Sequence, residues 1–172
     1  SQIRNGSLNI ENITDENLKK KIEDYRKWYE EAKKCQDTIR DLQKDEKKLA
    51  LDRLDYIEDY YDSIIKLNEA YQDVNDSRID LNDAIGNTAI GAEVQSYLKS
   101  SYDKQYESYN KALSQLSEYQ NEFNNLLSQG YIKEGSEAYY EGQQKIQEFT
   151  KQVSDSAVAL IELEDKIRAI DY

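Results

Sequence analysis

The feature that most limits what this chain can become is the lack of any helix breaker between Thr14 and Ile85. Neither Pro nor Gly falls in that stretch. Apolar side chains recur three and four positions apart at Leu18, Ile22, Tyr25, Tyr29 and Ala32, then at Leu54, Ile57, Tyr61, Ile64, Tyr71, Val74, Leu81 and Ile85. That spacing lays one apolar stripe along a helix and conflicts with the strict alternation of a half-buried strand. It predicts one very long helix over 14–85, or two helices end to end. Unbroken, it would span ~108 Å at ~1.5 Å per residue.

The remainder follows the same logic. With no Pro, only 6 Gly and 34% charged residues, the composition is that of long helices and coiled coils, and sheet is not expected. Residues 1–13, with Asn5-Gly6-Ser7 and alternating Leu8, Ile10 and Ile13, read as an N-terminal arm or linker. Residues 14–172 read as one elongated helical region. The missing Met and a periodic pattern that runs to the last residues suggest an excised part of a longer chain.

Local signals set the expected boundaries. Thr14 is a suitable N-cap, Asp15 and Glu16 put negative charge at the positive end of the helix dipole, and Ile13 and Leu18 stand where a hydrophobic staple would form. Gln43-Lys44-Asp45-Glu46-Lys47-Lys48 has no apolar side chain and reads as solvated, continuous helix or as a phase change between packing units. Gly86 offers a stop, and Ile85–Ala92 the first turn. A second helix is expected over about 93–128, with a buried stripe of Val94, Leu98, Tyr102, Tyr109, Leu113, Leu116, Phe123 and Leu127. Gly130 closes it. Ser136 then caps a third helix over 136–172, whose stripe is Tyr139, Ile146, Phe149, Val153, Leu160, Leu163, Ile167 and Ile170. Short connections make the helices antiparallel, so the predicted fold is all-α: an elongated antiparallel coiled coil or helical bundle running up, down and up.

The second and third helices are each about half as long as the first and must lie along its residues 50–85. Residues 14–49 then carry an apolar stripe with no partner inside the chain, although burying each large side chain recovers about 1.5–3 kcal/mol. Leu18, Ile22, Tyr25, Tyr29, Ile39 and Leu42 are therefore the candidate interaction residues, for self-association or for packing on an adjacent repeat unit. A weak internal repeat supports the second possibility. Lys21–Lys27 (KIEDYRK) and Lys145–Lys151 (KIQEFTK) match at a spacing of about 124 residues, and Ile39/Leu163 and Asp41/Asp165 hold the same register.

Charge and missing residue types argue against several functions. The net charge is −12, from 35 acidic and 23 basic residues, and no Lys/Arg cluster interleaves with aromatics, so direct binding to nucleic acid or to an anionic membrane surface is not expected. The longest apolar run, Ala157–Ile161, falls far short of the roughly 20 residues that span a bilayer. Cys35 is alone and reads as a small apolar filler. There is no His, hence no usual general base, triad member or zinc ligand. Asp73–Ser77 imitates the opening of a calcium loop, but Arg78 stands in place of the required Gly and Ala84 in place of the bidentate Glu. Asp52, Asp55, Glu58, Asp59 and Asp62 read as a solvated acidic face. Gly86–Gly91 lacks the Lys of a phosphate loop, since Ala92 follows. The sequons at Asn5, Asn12 and Asn75 carry little weight without a secretory context. The 15 Tyr read mainly as packing residues whose hydroxyls reach the solvent edge. No enzymatic activity, cofactor or metal is expected.

As whole phrases, Gly6–Leu18 (GSLNIENITDENL), followed by Ile22, Tyr25, Trp28-Tyr29-Glu30 and Cys35, resemble the helical array region of phage tail tape-measure proteins from prophages of clostridia-like bacteria. Gly130-Tyr131-Ile132 with Tyr139-Tyr140-Glu141 resembles it too. The resemblance covers nearly the whole chain through helix-start and packing residues. It implies a structural role: a helical scaffold around which tail tube proteins assemble so that chain length sets tail length. Such a protein resides in the bacterial cytoplasm during assembly and then in the virion tail. The alternative is a bacterial surface or secreted coiled-coil interaction module.

Overall fold

A computed structural model describes residues 9–85 and 90–170 of the chain. These form a short 3-10 turn at Ile10–Asn12 and three helices, α1 at Glu16–Ile85, α2 at Ile90–Ser128 and α3 at Glu137–Ile170, with no strand among the described residues. The all-α class and the order of one long and two shorter helices agree with the sequence reading. The expected stop at Gly86, the first turn's centre, most of the 1–13 arm and the final residues of the third helix lie outside the described residues.

Helix α1 begins one residue later than the Thr14 cap implies. The Asp15 carboxylate accepts from the backbone N–H groups of Asn17 at 3.0 Å and Leu18 at 3.2 Å, so Asp15 is the N-cap. A carboxylate both satisfies two orphan donors and opposes the positive end of the dipole, which a Thr hydroxyl does not. Leu18, at the expected staple position, is exposed, and Ile22 one turn on is the buried residue.

Helix α1 is unbroken through Gln43–Lys48, where every residue is exposed. The chain nonetheless divides into two compact units, one ending at Leu49 and one beginning at Ala50. In the first unit Ile22 is the sole buried hydrophobic among the described residues. The second unit contains the core.

Within that second unit, numbered pairs give the topology. Tyr61 meets Glu118, Gln72 meets Gln105 and Asn75 meets Ser101, so α2 descends as α1 ascends. Gln105 meets Ser156 while Tyr119 meets Phe149, so α3 runs antiparallel to α2. Helices α2 and α3 approach with Cα atoms within 8 Å of each other along the pair, a closeness α1 does not match. Ala112, Gly142 and Ser156 are small enough to permit it.

The turn between α2 and α3 anchors the unit. Gly130 takes φ of 76°, its N–H donates to the Leu127 carbonyl at 3.1 Å, and the Tyr131 N–H reaches the Leu126 carbonyl at 3.0 Å, which is a Schellman closure. Only Gly adopts that backbone without strain. The Ser136 hydroxyl caps α3 by accepting from the Tyr139 N–H, as the sequence suggests. Above the turn, Leu54, Tyr119, Phe123, Leu126, Ile132 and Phe149 form the hydrophobic cluster. Tyr119 and Phe149 pack edge to face at 5.1 Å, and the Phe123 ring covers Gly142 so closely that a Cβ there would lie 2.6 Å from Phe123 Cδ2 and nearer still to Cε2.

Candidate functional site

The seam joining the helices is the feature with functional content, because away from the turn it is polar. On α2, Leu98, Gln105, Ala112, Tyr119 and Leu126 are buried at intervals of a heptad, and Ser101, Ser108 and Gln115 are buried in the intervening rows. On α1, Leu54 and Tyr61 continue as Asn68 and Asn75 at the same interval, both buried. In the second unit, four of the predicted α1 and α2 stripe positions, Tyr71, Val74, Leu81 and Leu113, are instead exposed. Large apolar side chains mark one face, whereas the buried rows hold Gln, Ser and Asn.

These polar groups are mostly matched. Gln72 Nε2 donates to Gln105 Oε1 at 3.0 Å, and Gln105 Nε2 donates to Ser156 Oγ at 2.7 Å, linking all three helices. Asn75 Nδ2 donates to Ser101 Oγ at 3.2 Å. Gln115, fully buried, donates to the Asp62 carboxylate at 2.8 Å and to the Glu58 carbonyl at 3.2 Å. Asn68 Nδ2, Ser108 Oγ and Gln115 Oε1 have no hydrogen-bond partner in the protein. A matched internal pair contributes only about 0.5–1.5 kcal/mol net, so this part of the seam is held far less firmly than the cluster at the turn.

Charged groups reinforce the turn end. Lys145 Nζ of α3 lies 2.7 Å from Glu58 Oε1 of α1 and 3.3 Å from Glu148, and the Glu58 hydrogen bond raises its pKa above the usual lysine value. The Tyr61 hydroxyl donates to Glu118 at 2.6 Å; burial first, and then that carboxylate, push its pKa up to about 12. Burial, with Glu58 and Asp55 nearby, pushes Tyr119 to about 12 as well. The acidic set on α1 is thus divided. Glu58 and Asp62 turn inward to Lys145 and Gln115, which a uniformly solvated face would not do, while Asp52, Asp55 and Asp59 stay exposed.

Of the candidate interaction residues in the first unit, Leu18, Tyr25, Tyr29, Ile39 and Leu42 are exposed and Ile22 is buried. Tyr25 and Tyr29 stack with centroids 6.4 Å apart, giving that helix face a flat aromatic patch. Cys35, expected as an apolar filler, is exposed. Among the described residues no group of three or more Cys, Asp or Glu is placed to hold a metal ion, and no helix is long and apolar enough to cross a membrane.

No protein-family profile, curated protein or solved structure matches this chain.

Proposed function

We propose that the chain is a structural segment of a tape-measure-like phage tail protein, a helical scaffold and ruler that acts in the bacterial cytoplasm during assembly and travels in the tail. Tail tube proteins are its partners in this reading, and no catalytic role is assigned. The observation that carries it is the polar seam. A ruler in single-file helix advances ~1.5 Å per residue, whereas an antiparallel hairpin advances much less, so a hairpin ruler has to open. Opening exposes Asn68, Asn75, Ser101, Gln105, Ser108 and Gln115, side chains that water satisfies readily. Purely apolar helices separated in this way would aggregate instead.

The repeat gives further support. Shifted by the repeat interval, the buried and half-buried α3 positions Ile146, Phe149, Val153, Ser156, Ala159 and Leu163 fall on Ile22, Tyr25, Tyr29, Ala32, Cys35 and Ile39. The exposed α3 residues Tyr140, Val158 and Ile161 fall on Glu16, Lys34 and Asp37. Much of α3's inward and outward pattern thus recurs in residues 16–41, with half-buried Ala157 and Leu160 departing from it on Lys33 and Gln36, as expected of a related helix that packs on the hairpin of a preceding unit.

Tail length tests the reading. In a phage or prophage whose parent gene loses one unit of about 124 residues in frame, tails should shorten by ~190 Å by electron microscopy. Unchanged tails would remove the ruler role. They would favour the second reading, a surface or secreted coiled-coil module, for which the exposed face at Leu18, Ile39 and Leu42 is the supporting feature.

A further inference from the structure

The second unit has an outward seam on α1 that the bundle does not use. Tyr60, Leu67, Val74 and Leu81 recur every heptad, are all exposed, and lie on the side of α1 away from Leu54, Tyr61, Asn68 and Asn75. Between them, in the rows that complete a three-four repeat, stand Tyr56, Ser63, Ala70 and Ser77, also exposed. Four consecutive heptads without a break are the pattern of a coiled-coil interface, into which only another helix of the same period fits. This is a different surface from the one at residues 14–49, and it goes beyond the function proposed above.

We propose that the occupant is a second copy of this chain, paired antiparallel over residues 56–81 about a two-fold axis between Asn68 and Glu69. In an antiparallel pair each row of one type faces the other type. About that axis Leu67 faces Ala70 of the other copy, Val74 faces Ser63, and Tyr60 faces Ser77, so a large side chain meets a small one in each of these layers. Tyr56 closes each end against Leu81. A parallel pair would instead set Ser63 on Ser63, Ala70 on Ala70 and Ser77 on Ser77, leaving voids beside crowded Leu and Tyr layers. The same sequence row is therefore complementary to itself in one orientation only, which is what an isologous dimer requires.

The area is adequate. Tyr56, Tyr60, Leu67, Val74 and Leu81 are between 46% and 66% exposed, and Ser63, Ala70 and Ser77 between them are exposed too. Covering these two rows removes roughly 700 Å² per copy, close to the ~800 Å² a side of a standard interface. Each copy carries a charge of −12, so repulsion opposes pairing and added salt tightens it.

The test uses the full chain in a Cys35→Ser background, with Ser63→Cys in one preparation and Val74→Cys in another. Under mild oxidation the equimolar mixture should give a disulfide-linked heterodimer, and neither preparation alone should cross-link. Self-linking of Ser63→Cys would overturn the antiparallel register. A failure of the mixture to link would overturn the interface. Sedimentation equilibrium of the otherwise unaltered chain in high salt provides the second measurement: Leu67→Glu should weaken dimerisation by at least about tenfold, because it places a charge in the central layer, with helix content unchanged. An undiminished dimer in Leu67→Glu, or a strict monomer without it, would refute the proposal.

Discussion

Gln105 is the residue on which an openable seam most depends. Its side chain bridges Gln72 and Ser156, and both Gln105 and Ser156 are buried. Gln105→Leu alone removes the acceptor of Gln72 and the donor to Ser156. Leaving such groups unmatched costs about 1–3 kcal/mol for the buried one, enough to cancel what the Leu gains. The expected outcome is a loss of about 1 kcal/mol. Converting the whole bridge, with Gln72→Leu, Gln105→Leu and Ser156→Ala, gives up three hydrogen bonds, two of them from Gln105 Nε2 to the Ser156 hydroxyl and carbonyl, worth about 1.5–4.5 kcal/mol together. It buries two Leu side chains at about 1.5–3 kcal/mol each, for a net gain of about 1.5 kcal/mol. The single and triple variants should therefore differ by about 2.5 kcal/mol, or about 5–10 °C in Tm at this chain length. Urea and thermal unfolding followed by far-UV circular dichroism measure both. A single variant as stable as the triple would refute the reasoning, because no stranded partner would then exist. If the seam must open for function, the triple variant in the parent gene should also impair tail formation although it folds better.

Other outcomes follow from single contacts. Gly142→Ala should destabilise by about 1–2 kcal/mol despite the helix propensity that Ala adds, since its Cβ runs into the buried Phe123 ring; a double-mutant cycle with Phe123→Leu should recover most of the loss. Gly130→Ala should cost about 1–2 kcal/mol by thermal unfolding, because φ of 76° is strained for any residue with a Cβ. Spectrophotometric titration should show Tyr61 and Tyr119 losing their protons only near pH 12. Both pKa values are raised in the folded state, so the stability they contribute is complete below about pH 10, the unfolded value, and is lost as pH climbs towards 12. Lys145, also raised, acts in the same direction, and alkaline unfolding should therefore be steep.

Much of the architecture is written locally. The lack of Pro and Gly across 14–85, Gly130 after the α2 stripe and Ser136 before α3 each mark a boundary through backbone preference alone, and the observed helices follow them closely. What could not be read is which apolar row faces inward. Helix α1 carries two rows in its second half, Leu54–Tyr61 continuing into Asn68 and Asn75, and Tyr60–Leu67–Val74–Leu81. Hydrophobicity favours the second row, yet the first is buried: Asn75 finds Ser101 on α2, and Asn68 is buried with its Nδ2 unmatched. The same rule hid Gln105, Gln115 and Ser156. A strict heptad count blind to side-chain polarity marks all three: Gln105 in the row of Leu98, Ala112, Tyr119 and Leu126, Gln115 in the row of Ser101 and Ser108, and Ser156 one heptad after Phe149. Of the interaction residues, the exposure of Leu18, Tyr25, Tyr29, Ile39 and Leu42 follows from helix lengths, since α2 and α3 are too short to reach the first half of α1, while the burial of Ile22 has no signal in that spacing.

The placement of the hydrophobic cluster beside the α2–α3 turn has a kinetic meaning. Leu126 and Ile132 are six residues apart and Tyr119 and Phe149 thirty, against sixty-five between Leu54 and Tyr119, so the contacts between α2 and α3 close the shorter loops and form before those to α1. During synthesis the hairpin can nucleate as soon as α3 emerges, zipping outward into the Gln and Ser rows. In a chain of similar helices, where mispairing with the wrong neighbour is the main hazard, a nucleus that joins each helix to the one made just before it selects the right partner by proximity.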